Sequence, residues 1–273
     1  MLYALFVIGP AGNGKTTLCS TLIEYLQNSK RSVHLVNLDP AADYFEHIEP
    51  SIDIKDLVTV DEVMQECNYG PNGGLLYCYE LLFDNVDWLQ EQIGGYSEDF
   101  LIVDCPGQIE LYTHVPYMKQ VIDLFQNKFN YRVCGAYCME SSFVVDPSKY
   151  FSGVLCAMSA MIQLEIPYIN VMTKMDLMPK DSPMVDRFLD VDTSLLLETA
   201  NRASHDKYRS LNETIVRLID DYSMVKFVPL DRTDEESIER LMLEIDNALQ
   251  VWDDEEPKEG KEFDQGEDYD NDD

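Results

Sequence analysis

The chain has 273 residues with 20 basic and 51 acidic side chains, a formal net charge of −31. That excludes a protein that grips nucleic acid by neutralising phosphates over a broad face, because such binding needs a basic surface. Hydrophobic residues make up 45 %, enough to bury a sizeable core in one large domain or two small ones.

Seven cysteines are an odd number, contain no Cys-x-x-Cys and lie mostly in apolar runs. They read as reduced core thiols of a cytosolic or nuclear protein. His34, His47, His114 and His205 are scattered without metal-ligand spacing, so no zinc site is expected. No run of 18 uncharged apolar residues predicts a membrane span. The opening Met1-Leu-Tyr-Ala-Leu-Phe-Val-Ile8 lacks the basic start and small-residue cleavage site of a signal peptide, and reads as a buried strand.

In chain order, Leu2–Ile8 is a predicted strand that runs into a glycine-rich turn. Leu18, Leu22, Ile23 and Leu26 then share one helical face. Further strands are predicted at Val33–Leu38, Phe100–Asp104, Val133–Met139, Tyr168–Met172 and Val225–Leu230, with helical stretches between them. Residues 177–222 carry helical patterns and no clear strand, so they are expected to form a helical insertion. The last helix places Ile238, Leu241, Met242, Ile245, Leu249 and Trp252 on one face, with Asp234 where an N-cap would sit. This alternation predicts an α/β fold over residues 1–252: a mostly parallel sheet flanked by helices. From Asp253 to Asp273 there are twelve acidic residues against two lysines. Such a segment cannot offset its ordering entropy by burial and is expected to be a disordered tail, either solubilising or made for a basic partner.

The turn after the first strand is Gly9-Pro-Ala-Gly12-Asn13-Gly14-Lys15-Thr16-Thr17, a Gly-x4-Gly-Lys-Thr sequence between a strand and a helix. Glycines let the backbone curl until successive N–H groups face one anion, and the helix N-terminus adds partial positive charge. Lys15 can reach β- and γ-phosphates, and Thr16 offers a hydroxyl to Mg²⁺, so the expected α/β fold is of the P-loop nucleotide-hydrolase type. A nucleotide hydrolase also needs a carboxylate at the end of a neighbouring strand. Phe100-Leu-Ile-Val-Asp104-Cys-Pro-Gly107-Gln108 supplies Asp104 for the metal shell, Gly107 with an N–H for the γ-phosphate, and Gln108 to orient water. Asp39 ends a second strand, where it can serve the metal's water shell or the attacking water, or simply make an Asx-Pro turn. Glu110 lies past the turn, placed to act at the site or only to cap the next helix.

Thr173-Lys174-Met175-Asp176 follows the fifth strand. Asp176 can accept from the ring N–H and exocyclic amine of guanine, a donor pair that adenine lacks, while the Lys174 stem lies on the purine face. The commoner GTPase sequence has Asn where Thr173 stands, a departure expected to weaken the link between this loop and the phosphate loop. At the end of the last strand, Leu230 is a candidate to present its N–H to guanine O6.

Gly70-Pro71-Asn72-Gly73-Gly74 is by composition only a turn. Together with the four motifs above, it makes the chain similar to the GPN-loop GTPases over residues 2 to about 250. That resemblance implies GTP and GDP as ligands, Mg²⁺ as cofactor, and two nucleotide sites facing each other in a dimer. Asn72 of the Gly70–Asn72 loop would then enter the partner's phosphate region, and Asp39, Gln108 and Glu110 would position water. The resemblance also implies a homodimer, or a heterodimer with the first paralogue. It further implies service to RNA polymerase II subunits or assembly factors, and a cytoplasmic protein that shuttles to the nucleus. An ATPase of the related dimeric class, a small-molecule kinase and a scaffold that holds nucleotide without turnover stay open. The four arginines between residues 177 and 222 are too few to argue for a kinase lid.

Overall fold

In the computed structural model, residues 2–42, 48–96, 100–178, 193–221 and 226–254 are described. Seven strands form one sheet: β1 (Leu2–Ile8), β2 (Val33–Asn37), β3 (Ile52–Asp53), β4 (Phe100–Asp104), β5 (Tyr131–Glu140), β6 (Tyr168–Thr173) and β7 (Phe227–Pro229). Their spatial order is β3-β2-β4-β1-β5-β6-β7, and every pairing is parallel. A parallel sheet needs crossover helices and is covered on both faces, which explains why its strands read as unbroken apolar runs.

The helices are α1 (Lys15–Asn28), α2 (Val60–Cys67), α3 (Pro71–Asp84), α4 (Val86–Ile93), α5 (Glu110–Thr113), α6 (Tyr117–Asp123), α7 (Pro147–Leu164), α8 (Thr193–Ala203), α9 (Arg209–Asp221) and α10 (Glu235–Leu249). Local chemistry sets several starts. Thr59 and Glu62 form a reciprocal capping box on α2. Pro71 and Pro147 occupy the first turns of α3 and α7, where a missing N–H costs nothing.

Alternate side chains of β1 enter two separate cores. Ala4, Phe6 and Ile8 join α3 to α7, together with Ala200, Val216 and Ile219 from α8 and α9. Leu5 and Val7 face α1 and α10, against Leu18, Leu22, Leu241 and Ile245. This double cover fixes the C-terminal ends of β1, β2, β4, β5 and β6 along one edge, where an open α/β sheet binds its ligands. Among the described residues no helix is long and apolar enough to cross a membrane. Cys19, Cys78, Cys105, Cys134 and Cys138 are buried free thiols, whereas Cys67 is exposed.

Several expectations are adjusted. The second strand stops at Asn37, and the fifth extends to Tyr131–Glu140. β3 is only two residues long, too short to have a pattern of its own. The Gly70–Gly74 segment is not a free turn: Pro71 to Gly74 lie in the first turn of α3. Trp252 lies past the end of α10 and is 52 % exposed, so it does not continue that helix's buried face. Asp234 stands at the N-cap of α10 but makes no capping bond with its side chain. Of the expected insertion, α8 and α9 are helical; residues 179–192 lie outside the described residues, as do Val225 of the expected last strand and 255–273 of the expected tail.

Candidate functional site

The phosphate loop is shaped by positive φ at Gly9, Gly12 and Gly14. At Gly9 the demand is doubled, because a Cβ there would meet the Cys138 carbonyl oxygen at 2.6 Å while φ is +132°. The loop is also tied from outside: Asn13 Nδ2 donates to the Cys138 carbonyl at 3.1 Å. The 8 %-exposed Lys15 donates from Nζ to the Pro10 carbonyl at 3.2 Å, which folds its ammonium back over the loop. α1 begins without a side-chain cap or an acidic residue in its first turn. No side chain of the helix's own first turn therefore competes for its N-terminal N–H groups.

Asp104 and Thr16 meet here as expected. Thr16 Oγ1 donates to Asp104 Oδ2 at 2.6 Å, and the other carboxylate oxygen, Oδ1, is buried without a partner. Burial pushes the Asp104 carboxyl up to about 6, against the lowering effects of the Thr16 hydrogen bond and the Lys15 charge. An orphaned, nearly buried carboxylate oxygen beside a hydroxyl is a donor set suited to a hard cation such as Mg²⁺, with nucleotide oxygens and water supplying the remaining ligands. No group of three His, Cys, Asp or Glu able to hold a metal without nucleotide exists among the described residues.

Asp39 is half-buried at the end of β2. Its Oδ1 accepts from Ala41 N–H at 3.0 Å, and its own N–H donates to Asn37 Oδ1 at 3.0 Å. The Asx-turn and the site position therefore coexist, and Asp39 is near enough to Asp104 to help raise that carboxyl. Gly107 packs on the phosphate loop: its carbonyl accepts from Ala11 N–H at 3.0 Å, and a Cβ there would lie 2.8 Å from Ala11 Cβ. Gln108 is half-buried in the same turn, with no side-chain hydrogen bond among the described residues. Glu110 is exposed as the first residue of α5, where its carbonyl accepts from His114 and Val115; Ile109 is the N-cap and no side chain caps this helix, so the capping alternative is not met.

Two buried tyrosines were not legible as site residues. Tyr79 of α3 donates to the Leu38 carbonyl, just before Asp39, at 2.8 Å. Tyr112 of α5 donates to the Pro106 carbonyl, just before Gly107. In sequence neither tyrosine belongs to a motif, so neither carries a signal beyond helical packing.

The base-side loop is held from three directions. Thr173 Oγ1 donates to the Asn13 carbonyl at 2.7 Å, so the threonine keeps the link to the phosphate loop that was expected to weaken. Ser141 Oγ donates to the Lys174 carbonyl at 2.9 Å, holding a residue whose φ is +60°. Met175 N–H donates to the Leu230 carbonyl at 3.2 Å. Leu230 itself corrects an expectation. Its N–H donates to the Met172 carbonyl at 2.8 Å and its side chain is buried, so it ties β6 to the last loop instead of presenting a donor to a base. The Asp176 side chain is 18 % exposed, with Arg232 Nε 3.8 Å from its Oδ2. A groove of about 1090 Å³ opens from Thr16 and Thr17 and runs along α1 past Ser20, Glu24 and Asn28, bounded opposite by Arg232, Thr233 and Glu235; Asp104 and Asp176 do not line it.

Asn72 stands apart from these groups. It is exposed, as are its neighbours from Gln65 to Gly73, and it makes no hydrogen bond to the phosphate loop among the described residues.

A glycine-shaped loop between β1 and α1, a metal-ready carboxylate on β4 and an acidic loop after β6 define a P-loop nucleotide-binding protein. A family profile described as "Conserved hypothetical ATP binding protein" matches residues 7–251. A relative from Mycosarcoma maydis named GPN-loop GTPase 3 is 51 % identical over 97 % of both chains. Relatives of the same name from Schizosaccharomyces pombe and Saccharomyces cerevisiae are 50 % and 46 % identical, each covering more than nine-tenths of both chains. The chain belongs to the GPN-loop GTPase family. A Pyrococcus abyssi GTPase crystallised in apo form shares the fold, with a TM-score of 0.75 and 23 % identity over 92 % of this chain and 97 % of that one.

Proposed function

We propose that this chain binds GTP with Mg²⁺ and hydrolyses it to GDP and phosphate. The observation that carries this reading is that one short hydrogen bond, from Thr173 to the Asn13 carbonyl, joins the loop bearing Asp176 to the loop that curls around a phosphate. The two loops are thereby tied to each other directly.

Thr16, Asp104 and Asp39 would hold Mg²⁺, which supplies charge neutralisation at the β- and γ-phosphates. Gly12, Asn13, Gly14, Lys15, Thr16 and Thr17 cradle the phosphates through N–H groups and the Lys15 ammonium, and Gly107 lies where its backbone can follow the γ-phosphate. Gln108 and Asp39 orient the water that attacks phosphorus as the bond to the β-phosphate oxygen breaks; Glu110, at the rim, contributes at longer range. Thr173, Lys174, Met175 and Asp176 form the base subsite. Replacement of Asp176 by alanine should collapse the preference for GTP over ATP by about 100-fold or more, since a site built to pair with two donors loses both contacts. Competition binding with the two nucleotides measures it. An unchanged preference would instead favour an ATPase, the reading in line with the description of the matched family profile.

The working unit is a dimer switched by nucleotide, either of two copies or with the family's first paralogue, in which Asn72 serves the partner's site. Two features support this: α3 starts with no side-chain cap and no acidic residue in its first turn, and Asn72 is exposed away from its own loop. A neutral amide can donate to a γ-phosphoryl oxygen and accept from water without adding charge. Asn72→Ala should therefore lower turnover about 100-fold while changing nucleotide affinity less than about threefold. Mixing Asn72→Ala with Lys15→Ala subunits tests whether the loop works in trans: restored turnover in the mixture supports it, and none refutes it. By family resemblance, the cellular role is assembly and nuclear import of RNA polymerase II, performed in the cytoplasm with shuttling to the nucleus. Depletion followed by imaging of the polymerase tests that role, with cytoplasmic accumulation as the expected result.

A further inference from the structure

Glu140, the last residue of β5, lies beside the base loop without belonging to any motif. The β5–β6 register sets Glu140 opposite Thr173, so its carboxylate reaches the next residue, Lys174, at 2.7 Å between Oε2 and Nζ. Ser142 Oγ donates to Glu140 Oε1 at 2.5 Å and fixes the carboxylate from the other side. Lys149 of α7 is a second positive charge near it.

The Lys174 backbone is already secured by Ser141 and by the Leu230–Met175 link. Its side chain, however, has Glu140 as its only polar partner among the described residues. Both side chains are about one-third exposed, and an ion pair of that kind contributes little to stability. Its effect falls on the position of a long, flexible stem. Untied, the Lys174 ammonium could swing toward Asp176, two residues on, and occupy the carboxylate that a purine must reach. Tied to Glu140, it stays away from Asp176 and lays its methylenes along one side of the base subsite.

We propose that Glu140 is a positioning residue for guanine: by anchoring Lys174 it orders the apolar wall of the base subsite and keeps a second cation from joining Arg232 at Asp176. This inference rests on the base-subsite reading given above and extends it to a residue outside the loop.

The test uses the full-length chain with Mg²⁺ and calorimetry with GDP, ADP and inorganic tripolyphosphate. Glu140→Gln should weaken GDP binding about three- to tenfold, the range expected for losing one pre-ordered side chain. Tripolyphosphate binding and the melting temperature should be unchanged, as should kcat at saturating GTP. Lys174→Met keeps an apolar stem but has no ammonium to reach Asp176, so adding Glu140→Gln to it should cost no further GDP affinity. If Glu140→Gln does not fold, Glu140→Asp, one methylene too short to hold Lys174 in the same place, decides the question by the same comparison of GDP with tripolyphosphate. Unchanged GDP affinity, equal loss of GDP and tripolyphosphate, or additive effects would each overturn the proposal. Asp176→Ala measured in parallel separates the two ideas. A preserved GDP-over-ADP preference in that variant overturns the base-subsite reading, whereas a collapsed preference with a silent Glu140→Gln overturns only the role of Glu140.

Discussion

Lys15→Ala is expected to abolish triphosphate binding in the micromolar range, with affinity for GTP and GDP falling by about 100-fold or more. The magnitude follows from hydrogen bonds to charged groups, each worth about 1.5–3 kcal/mol, of which an ammonium bridging two phosphates makes at least two. No long-range effect replaces it, because a chain with a net charge of −31 repels a polyanion. The apo fold should tolerate the change. Lys15 is nearly buried and its one hydrogen bond is to the Pro10 carbonyl, so its loss also removes a buried charge. Calorimetry with Mg²⁺ and GTP, paired with thermal unfolding of the apo protein, measures both. Affinity within threefold of the unmodified chain would refute the assignment of the loop.

Asp104→Asn should separate binding from stability. In the folded chain the carboxyl is pushed from 3.8 to about 6, chiefly by burial. Between those values the native state holds more protons than the unfolded one, so stability falls as pH rises through the window. Above pH 6 the ionised group costs the apo fold about 3 kcal/mol, the free-energy equivalent of that difference. Asn cannot ionise and still offers Thr16 an acceptor. The metal-free variant should therefore be more stable than the unmodified chain by up to about 3 kcal/mol at pH 7.5, and equal to it below pH 4. Its Mg²⁺-dependent nucleotide binding should be lost at every pH. In the unmodified chain, Mg²⁺ affinity should weaken as pH drops below about 6, because cation and proton compete for one oxygen. Denaturant melts across pH, with and without Mg²⁺, test both halves; a variant less stable at pH 7.5 would mean that the carboxylate serves the apo fold.

The sheet was legible because parallel strands covered on both faces carry no polar alternation, and their termini coincide with Gly9, Asp39 and Asp104. The phosphate loop was legible because its φ angles admit almost nothing but glycine. What escaped detection depends on partners distant in sequence. The two-residue β3 exists through pairing with Val36 and Asn37, and the first turn of α3 overrode a composition typical of a turn. Leu230 was misread because a strand end has a free N–H only if no neighbour takes it, and Met172 does. The tolerance of Thr173 was equally invisible: whether a hydroxyl can do the work of an amide depends on a carbonyl 160 residues away.

The hydroxyls of Tyr79 and Tyr112 hold the backbone immediately before Asp39 and Gly107, and burial raises both phenols well above their ordinary 10. They stay protonated and donating throughout the range in which Asp104 gains its proton. On the proposed role of Asp104, mild acid should therefore remove a metal ligand while both tyrosine supports keep their hydrogen bonds, and a return to neutral pH should restore Mg²⁺ affinity.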